Sequence, residues 1–153
     1  GAPGSKTPIH EIGHYLGLYH TFQGGCTNFN CLLDGDFVCD TPPDNSTNVD
    51  SVFNNCLVEN SCSTDMDDNS GNNPFNVDTT DFSNNYMDYN YQSCRIFFTQ
   101  GQKERMIASI LGVRTSLLIS PGCGTTIVPV ANFGTSLIYT AAYPQMYNLR
   151  IRV

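Results

Sequence analysis

The segment His10–His20, HEIGHYLGLYH, contains all three histidines of the chain and most constrains its fold. Positions four residues apart in an α-helix lie on one face, so His10 and His14 can direct two imidazole nitrogens at one ion. Such nitrogens bind zinc at about 2.0–2.1 Å. Glu11 lies beside His10, where its carboxylate can reach a water on the metal and take its proton. The pattern His-Glu-x-x-His therefore predicts a zinc-dependent hydrolytic site.

Gly17 accounts for the longer gap between His14 and His20. A straight helix would not return His20 to the face that carries His14. Glycine can adopt the left-handed conformation that ends a helix, so we expect the chain to turn at Gly17 and bring His20 back as a third ligand. A chance surface helix could explain the five-residue motif alone, but the added glycine and histidine lower that chance by roughly a thousandfold.

Two segments have helical signals. A first helix is predicted over Thr7–Leu18, with its threonine as N-cap and Pro8 at the first helical position. A second is predicted from Thr99, again a cap, to about Leu118. Residues 23–95 between them are rich in turn signals and are expected to be irregular. Bridges or bound ions are needed to hold a loop of that length.

Six of the seven cysteines lie between residues 26 and 94, in a segment with few apolar side chains. Cross-links would offset that shortage, so we predict disulfides and an extracytoplasmic location. Reduced core thiols are the alternative. A zinc–thiolate cluster is less expected because no Cys-x-x-Cys pair occurs. Cys123 has no obvious partner.

The chain has 14 acidic and 7 basic residues, a formal net charge of −7. This balance disfavours binding to nucleic acid or to anionic membrane surfaces. No apolar run approaches the length of a membrane span.

The composition changes near the C-terminus. Residues 124–153 are rich in β-branched and aromatic residues and are expected to form a linker followed by strands. Their segment VPVANFGTS is similar to the opening strand of PKD-type β-sandwiches. The expected fold class is therefore α+β with a large irregular part.

Several separated blocks resemble the pappalysin-type (ulilysin-like) metzincin proteases. They are HEIGHYLGLYHTFQGGC, GDFVCDTPP, NYMDY and CRIFFTQGQKERM. The eleven-residue histidine pattern is the zinc signature of that clan. The resemblance covers about residues 5–123. It implies that residues 1–123 are the lower half of a metzincin catalytic domain, comprising the active-site helix, a long loop held by disulfides and calcium, and a C-terminal helix. The upstream half, whose sheet pairs with extended substrate, would be its partner.

The resemblance also implies roles for individual residues. Zinc would be bound by the three histidines of the signature, and Glu11 would act as general base and then as general acid. Met87 would be the methionine of the turn beneath the zinc ligands. Tyr89 would ligate the metal or steady the tetrahedral intermediate, although an ordinary core tyrosine is the alternative.

Calcium and the cystine pairing are implied in the same way. The family's calcium-binding loop is matched by GDFVCDTPP, with oxygen ligands from Asp36, Asp40 and Thr41. Such oxygens suit calcium, though a solvated acidic turn would look similar. The implied disulfides are Cys26–Cys62 and Cys56–Cys94, which would leave Cys31–Cys39 to close the loop.

The function predicted on these grounds is a secreted zinc endopeptidase that acts on protein or peptide substrates. Members of the resembled family that cleave beside basic residues have acidic side chains between the Met-turn and the next cysteine. Residues 90–93 here carry no charge, so the resemblance does not imply a strong preference for Arg or Lys. The alternative is a non-catalytic binding or adhesion module, stabilised by calcium and disulfides, with a vestigial zinc site. The intact Glu11 argues against that alternative, because a binding module has no use for it.

Overall fold

The structure is a computed structural model, and it describes residues 4–45, 56 and 58–120. Two α-helices and one 3-10 helix follow in chain order: α1 (Thr7–Tyr15), α2 (Gln100–Gly112) and η1 (Thr115–Ile119). The second helix, predicted to extend to about Leu118, is confirmed but ends at Gly112. The 3-10 helix follows it. Of these helices, none is long and apolar enough to cross a membrane.

The chain divides into two compact units, Gly1–Met106 and Ile107–Val153. Every residue considered for the site lies in the first unit. Its long middle segment is irregular, as predicted, and a bridge between Asn85 and Phe97 supplies β-type pairing there. Cys123 and the predicted linker and strands of residues 124–153 lie outside the described residues.

Helix α1 begins at Thr7, the residue predicted to cap it, so its N-cap lies one residue earlier than predicted. Lys6 is the N-cap residue and has no side-chain capping bond, so the prediction that Thr7 caps the helix is wrong. The reason is that the Lys6 carbonyl accepts the first helical bond, from His10 N at 3.1 Å. Pro8 lies in the first turn, where the lack of an N–H costs nothing.

The end of helix α1 at Tyr15 is a Schellman turn. Gly17 has φ +92°, as the predicted left-handed stop requires. Gly17 N donates to His14 O at 2.9 Å, and Leu18 N donates to Gly13 O at 3.0 Å. The chain therefore reverses immediately before His20.

Helix α2 begins with a capping box. Thr99 Oγ1 accepts a bond from Gln102 N at 3.1 Å, and Gln102 Oε1 accepts one from Thr99 N at 3.0 Å. The prediction that Thr99 is the cap is confirmed. Asp40 adds a second cap from the long loop, because its Oδ2 accepts Gly101 N at 2.8 Å.

Arg105 connects helix α2 to the turn that follows helix α1. Its Nε donates to Gly17 O at 2.7 Å. Its guanidinium lies 5.5 Å from the ring centre of Tyr19 and 5.6 Å from that of Phe37. Helix α2 thereby supports the backbone that carries His20.

Three disulfides cross-link the irregular segment, and their pairing is the one that the family resemblance implies. They are Cys26–Cys62, Cys31–Cys39 and Cys56–Cys94. Among the residues that the structure describes, buried apolar side chains are few and many buried residues are polar. Cross-links and polar contacts therefore replace much of the apolar packing that a loop-rich segment lacks.

Candidate metal centre

The three histidines converge through two local devices. Helix α1 places His10 and His14 one turn apart, and the Gly17 turn returns His20 to them. His14 Nε2 lies 3.1 Å from His10 Nε2 and 3.0 Å from His20 Nε2. All three nitrogens thus point into one small volume.

Backbone carbonyls fix the opposite side of two of these rings. His10 Nδ1 lies 2.7 Å from Tyr86 O, and His14 Nδ1 lies 2.9 Å from Leu18 O. A carbonyl can only accept, so each Nδ1 carries the proton and donates it. This tautomer leaves both Nε2 lone pairs free to bind a metal.

Burial also favours the neutral form of two of the imidazoles, those of His10 and His20. Burial, followed by the neighbouring imidazoles of His14 and His10, lowers the pKa of His20 to about 4. Burial lowers the pKa of His10 too, against the opposing effect of its bond to Tyr86. A neutral imidazole is the form that ligates a metal.

The arrangement fits zinc. Ligands about 2.05 Å from a tetrahedral ion are separated by roughly 3.3 Å, close to the observed spacing of the Nε2 atoms. Three lone pairs aimed at one another repel unless a cation or proton lies between them. His10, His14 and His20 form a group able to hold a metal within the described residues.

Met87 lies beneath this group. It is fully buried, and a β-carbon added at Gly13 would overlap its sulfur. The Met87 carbonyl accepts a bond from Thr21 N at 3.4 Å. The methionine turn thus supports helix α1 from below and the residue after His20 from the side.

Tyr89 and Glu11 are two exposed residues near the group. The Tyr89 ring centre is 4.6 Å from that of His20 and 5.6 Å from that of His10, and the residue is 45% exposed. Glu11 is exposed, and its charge raises the pKa of His10 and His20 against the effect of burial. Both side chains are therefore close to the histidines and open to solvent.

The residues predicted to bind calcium divide into two groups. Asp36 and Thr41 lie together: Thr41 Oγ1 donates to Asp36 Oδ1 at 2.8 Å, and Asp36 Oδ2 is buried without a hydrogen-bond partner. Burial raises the pKa of Asp36 to about 7. Both residues line a cavity of about 20 Å³. Asp40 instead directs its two carboxylate oxygens at Thr99 and Gly101.

Sequence reasoning missed several residues of the site. Phe22 stacks on His20, with ring centres 4.7 Å apart. Asn85 and Gln102 form a fully buried amide pair, with bonds of 2.8 and 3.1 Å between their side chains. Asn85 Oδ1 also accepts Met87 N at 2.8 Å, so the pair joins helix α2 to the methionine turn. One signal was available in the sequence. Gly13 is the one glycine inside helix α1, where a helix has no local need for glycine, and it indicates that another segment packs closely there.

Comparison with known proteins points to peptidases. The model of a peptidase family described as pregnancy-associated plasma protein-A matches residues 2–111. An extracellular metalloprotease of Sordaria macrospora is 41% identical over 103 residues, which is 65% of this chain and 28% of that protein. Extracellular metalloprotease 1 of Coccidioides posadasii is 41% identical over 102 residues, 66% of this chain and 29% of that protein. The chain thus spans less than a third of the length of these relatives.

Proposed function

Because this chain belongs to the pappalysin family of metallopeptidases, we propose that it forms the zinc-binding part of a secreted endopeptidase. The observation that carries the proposal is the convergence of the three histidine Nε2 atoms. Those of His10 and His20 lie 3.1 and 3.0 Å from that of His14. An extracellular location is supported by the names of its relatives and by three disulfides, which persist in oxidising compartments.

Different residues of the site have different roles in the proposed peptide hydrolysis. Zinc, held by His10, His14 and His20, would polarise the scissile carbonyl and acidify the attacking water. The exposed Glu11 carboxylate accepts the proton of that water and passes it to the leaving amine. Tyr89 donates from its hydroxyl to the oxyanion that develops on the carbonyl.

Other residues are proposed to hold the site in place rather than to act on the substrate. Met87 and the carbonyls of Tyr86 and Leu18 keep the imidazoles in one orientation. Calcium at Asp36 and Thr41 would stabilise the long loop, since Asp36 Oδ2 is buried and unpartnered. Asp40 contributes to that loop through its carboxylate oxygens, which accept hydrogen bonds from Thr99 and Gly101 at the start of helix α2. An upstream half-domain would supply the other wall of the cleft, and residues 124–153 would form a separate linker and β segment.

Replacement of the proposed base tests the mechanism. In the full-length protein, Glu11→Gln should lower peptide hydrolysis by about 10²–10⁴-fold while the zinc content stays at one per chain. Glu104→Gln makes the same chemical change on helix α2, where the side chain bonds Gln100, and should leave the rate unchanged. Undiminished hydrolysis by Glu11→Gln would refute the assignment. Zinc binding without hydrolysis by the unmodified protein would favour a non-catalytic module.

A further inference from the structure

Phe22 packs against two residues of the candidate site and has no polar side-chain group of its own. Its ring is nearly parallel to that of His20, with an interplanar angle of 11° and ring centres 4.7 Å apart. It meets the Tyr89 ring edge to face, with ring centres 5.1 Å apart. Tyr89 meets His20 in the same way at 4.6 Å. The three rings therefore form one aromatic cluster, in which each ring contacts the other two.

His20 differs from the other two histidines in how its ring is held. The Nδ1 atoms of His10 and His14 each donate to a backbone carbonyl. Among the residues that the structure describes, the His20 ring has a polar contact at Nε2, facing His14, and none at Nδ1. The orientation of a ligating imidazole is ordinarily fixed by a partner on its outer side. For His20, the face of Phe22 takes the place of that partner.

The backbone on both sides of Phe22 is held by hydrogen bonds. Thr21 is buried, and its N–H donates to Met87 O at 3.4 Å. Gln23 N donates to His20 O at 3.0 Å, which closes a turn, and Gly25 N donates to Phe22 O at 3.3 Å. This turn limits where the Phe22 ring can go, so the ring stays against His20.

A stack on a phenyl face suits a histidine that binds a cation. The face of an aromatic ring is negative and attracts positive charge. An imidazole that shares its lone pair with zinc becomes electron-poor, so its attraction to the Phe22 face increases. Phe22 is half-buried, and water screens this attraction less there than at an exposed position. Metal binding and the stack therefore stabilise each other.

We propose that Phe22 is a positioning residue, which holds the His20 ring in the orientation that binds zinc and keeps the Tyr89 ring beside it. This inference rests on the proposed function, in which His20 is a zinc ligand and Tyr89 donates to the oxyanion. Phe22 acts only through these two residues and does not contact the substrate.

Loss of the flat face at position 22 tests the proposal. In the zinc-loaded full-length protein, Phe22→Leu should raise the zinc dissociation constant about 3–10-fold, which is the contribution of an aromatic pair beyond its buried area. Phe22→Tyr keeps the flat face and should bind zinc like the unmodified protein. Competition with a chromophoric chelator measures these affinities.

Phe82→Leu is the matched control. Phe82 is also half-buried, but its edge-to-face partners are Phe75 and Phe97 instead of a histidine. This variant should keep the zinc affinity of the unmodified protein. Equal zinc affinities for Phe22→Leu and Phe82→Leu would overturn the proposal.

Peptide hydrolysis separates positioning from substrate binding. With zinc in excess, Phe22→Leu should lower kcat and leave KM nearly unchanged, because the Tyr89 ring loses the neighbour that holds it. A raised KM with unchanged kcat and unchanged zinc affinity would show that Phe22 binds the substrate directly, and would overturn the proposal. If the unmodified protein hydrolyses no peptide, the proposed function fails, while the zinc affinities still decide the role of Phe22.

A crystal structure of the zinc-loaded unmodified protein keeps the test valid if Phe22→Leu fails to fold. It should show the Phe22 ring stacked on a zinc-bound His20, with Tyr89 at its edge. A Phe22 ring that is turned away from a zinc-bound His20 would also overturn the proposal.

Discussion

The sulfur of Met87 lies against Gly13 of helix α1, in the space that a β-carbon at position 13 would fill. The methionine has no room to retreat because it is fully buried. Helix α1 and the methionine turn are therefore matched in shape at one atom.

Gly13→Ala should lower the free energy of unfolding by about 1–3 kcal/mol, because the new methyl group overpacks this contact. Denaturant unfolding of the zinc-loaded protein measures it. Gly112→Ala is the matched control, since a β-carbon there meets nothing within 4 Å. Alanine's higher helix propensity makes that variant as stable as the unmodified protein or slightly more so. Equal effects of the two substitutions would contradict the shape match.

The buried amide pair gives a second prediction. Gln102→Met keeps the volume of the side chain but leaves the Asn85 amide and Thr99 N–H without their partners, which should cost about 1–3 kcal/mol for each group left unpaired. Gln100→Met, at an exposed neighbouring position, should change stability by less than about 0.5 kcal/mol. A cycle with Asn85→Ala should show coupling of roughly 0.5–3 kcal/mol. Purely additive effects would mean that the pair does not join helix α2 to the methionine turn.

Much of this architecture could be predicted from local patterns in the sequence. Contacts between segments far apart in the chain could not. The cap of helix α2 at Thr99 and the left-handed turn at Gly17 depend on neighbouring residues, so both could be predicted from the local sequence. The failed cap at Thr7 shows the limit, because the helix begins one residue earlier, with the Lys6 carbonyl accepting the first helical bond and no side chain capping it.

The candidate site also combines features set by neighbouring residues with contacts between distant segments. The spacing of the histidines predicted their convergence, because helix geometry and one glycine decide it. Nothing local indicated that Tyr86 O would orient His10, since that contact needs the long loop to fold back beneath helix α1. The motif that assigned Asp40 to calcium gave no sign that its carboxylate also reaches a helix terminus far along the chain.

Calcium removal should loosen the long loop before helix α1. A calcium chelator that spares zinc should make residues 24–94 susceptible to proteolysis, because Asp36 then remains buried with an unpartnered oxygen. The chelator should not increase the proteolysis of the Asp36→Asn variant. It should increase the proteolysis of the Asp67→Asn variant as much as that of the unmodified protein. Mass spectrometry of the fragments locates the cuts. First cleavage within Thr99–Leu118, with residues 24–94 intact, would contradict this account of the loop.

Asp65 predicts a pH dependence of stability. It is fully buried, and burial together with the charge of Asp78 raises its pKa. The folded protein therefore holds this proton more tightly than the unfolded chain, whose Asp pKa is about 3.9. The stability that Asp65 contributes is present below that value and is lost as the pH rises through the raised pKa.

Asp65→Asn cannot ionise, so its free energy of unfolding should increase relative to the unmodified protein as the pH rises above about 4. Urea unfolding from pH 4 to 8 measures the difference, with Asp67→Asn as the exposed control. A difference between Asp65→Asn and the unmodified protein that does not change with pH would show that Asp65 is ionised in the folded state.

The zinc K-edge X-ray absorption spectrum of the zinc-loaded protein tests the central claim most directly. Three imidazole nitrogens bound through Nε2 predict nitrogen or oxygen scatterers at about 2.0–2.1 Å, with the outer-shell features of three imidazole rings. His20→Ala should remove one ring from that pattern. Sulfur scatterers at about 2.3 Å, or a spectrum unchanged by His20→Ala, would place the zinc elsewhere and contradict the account.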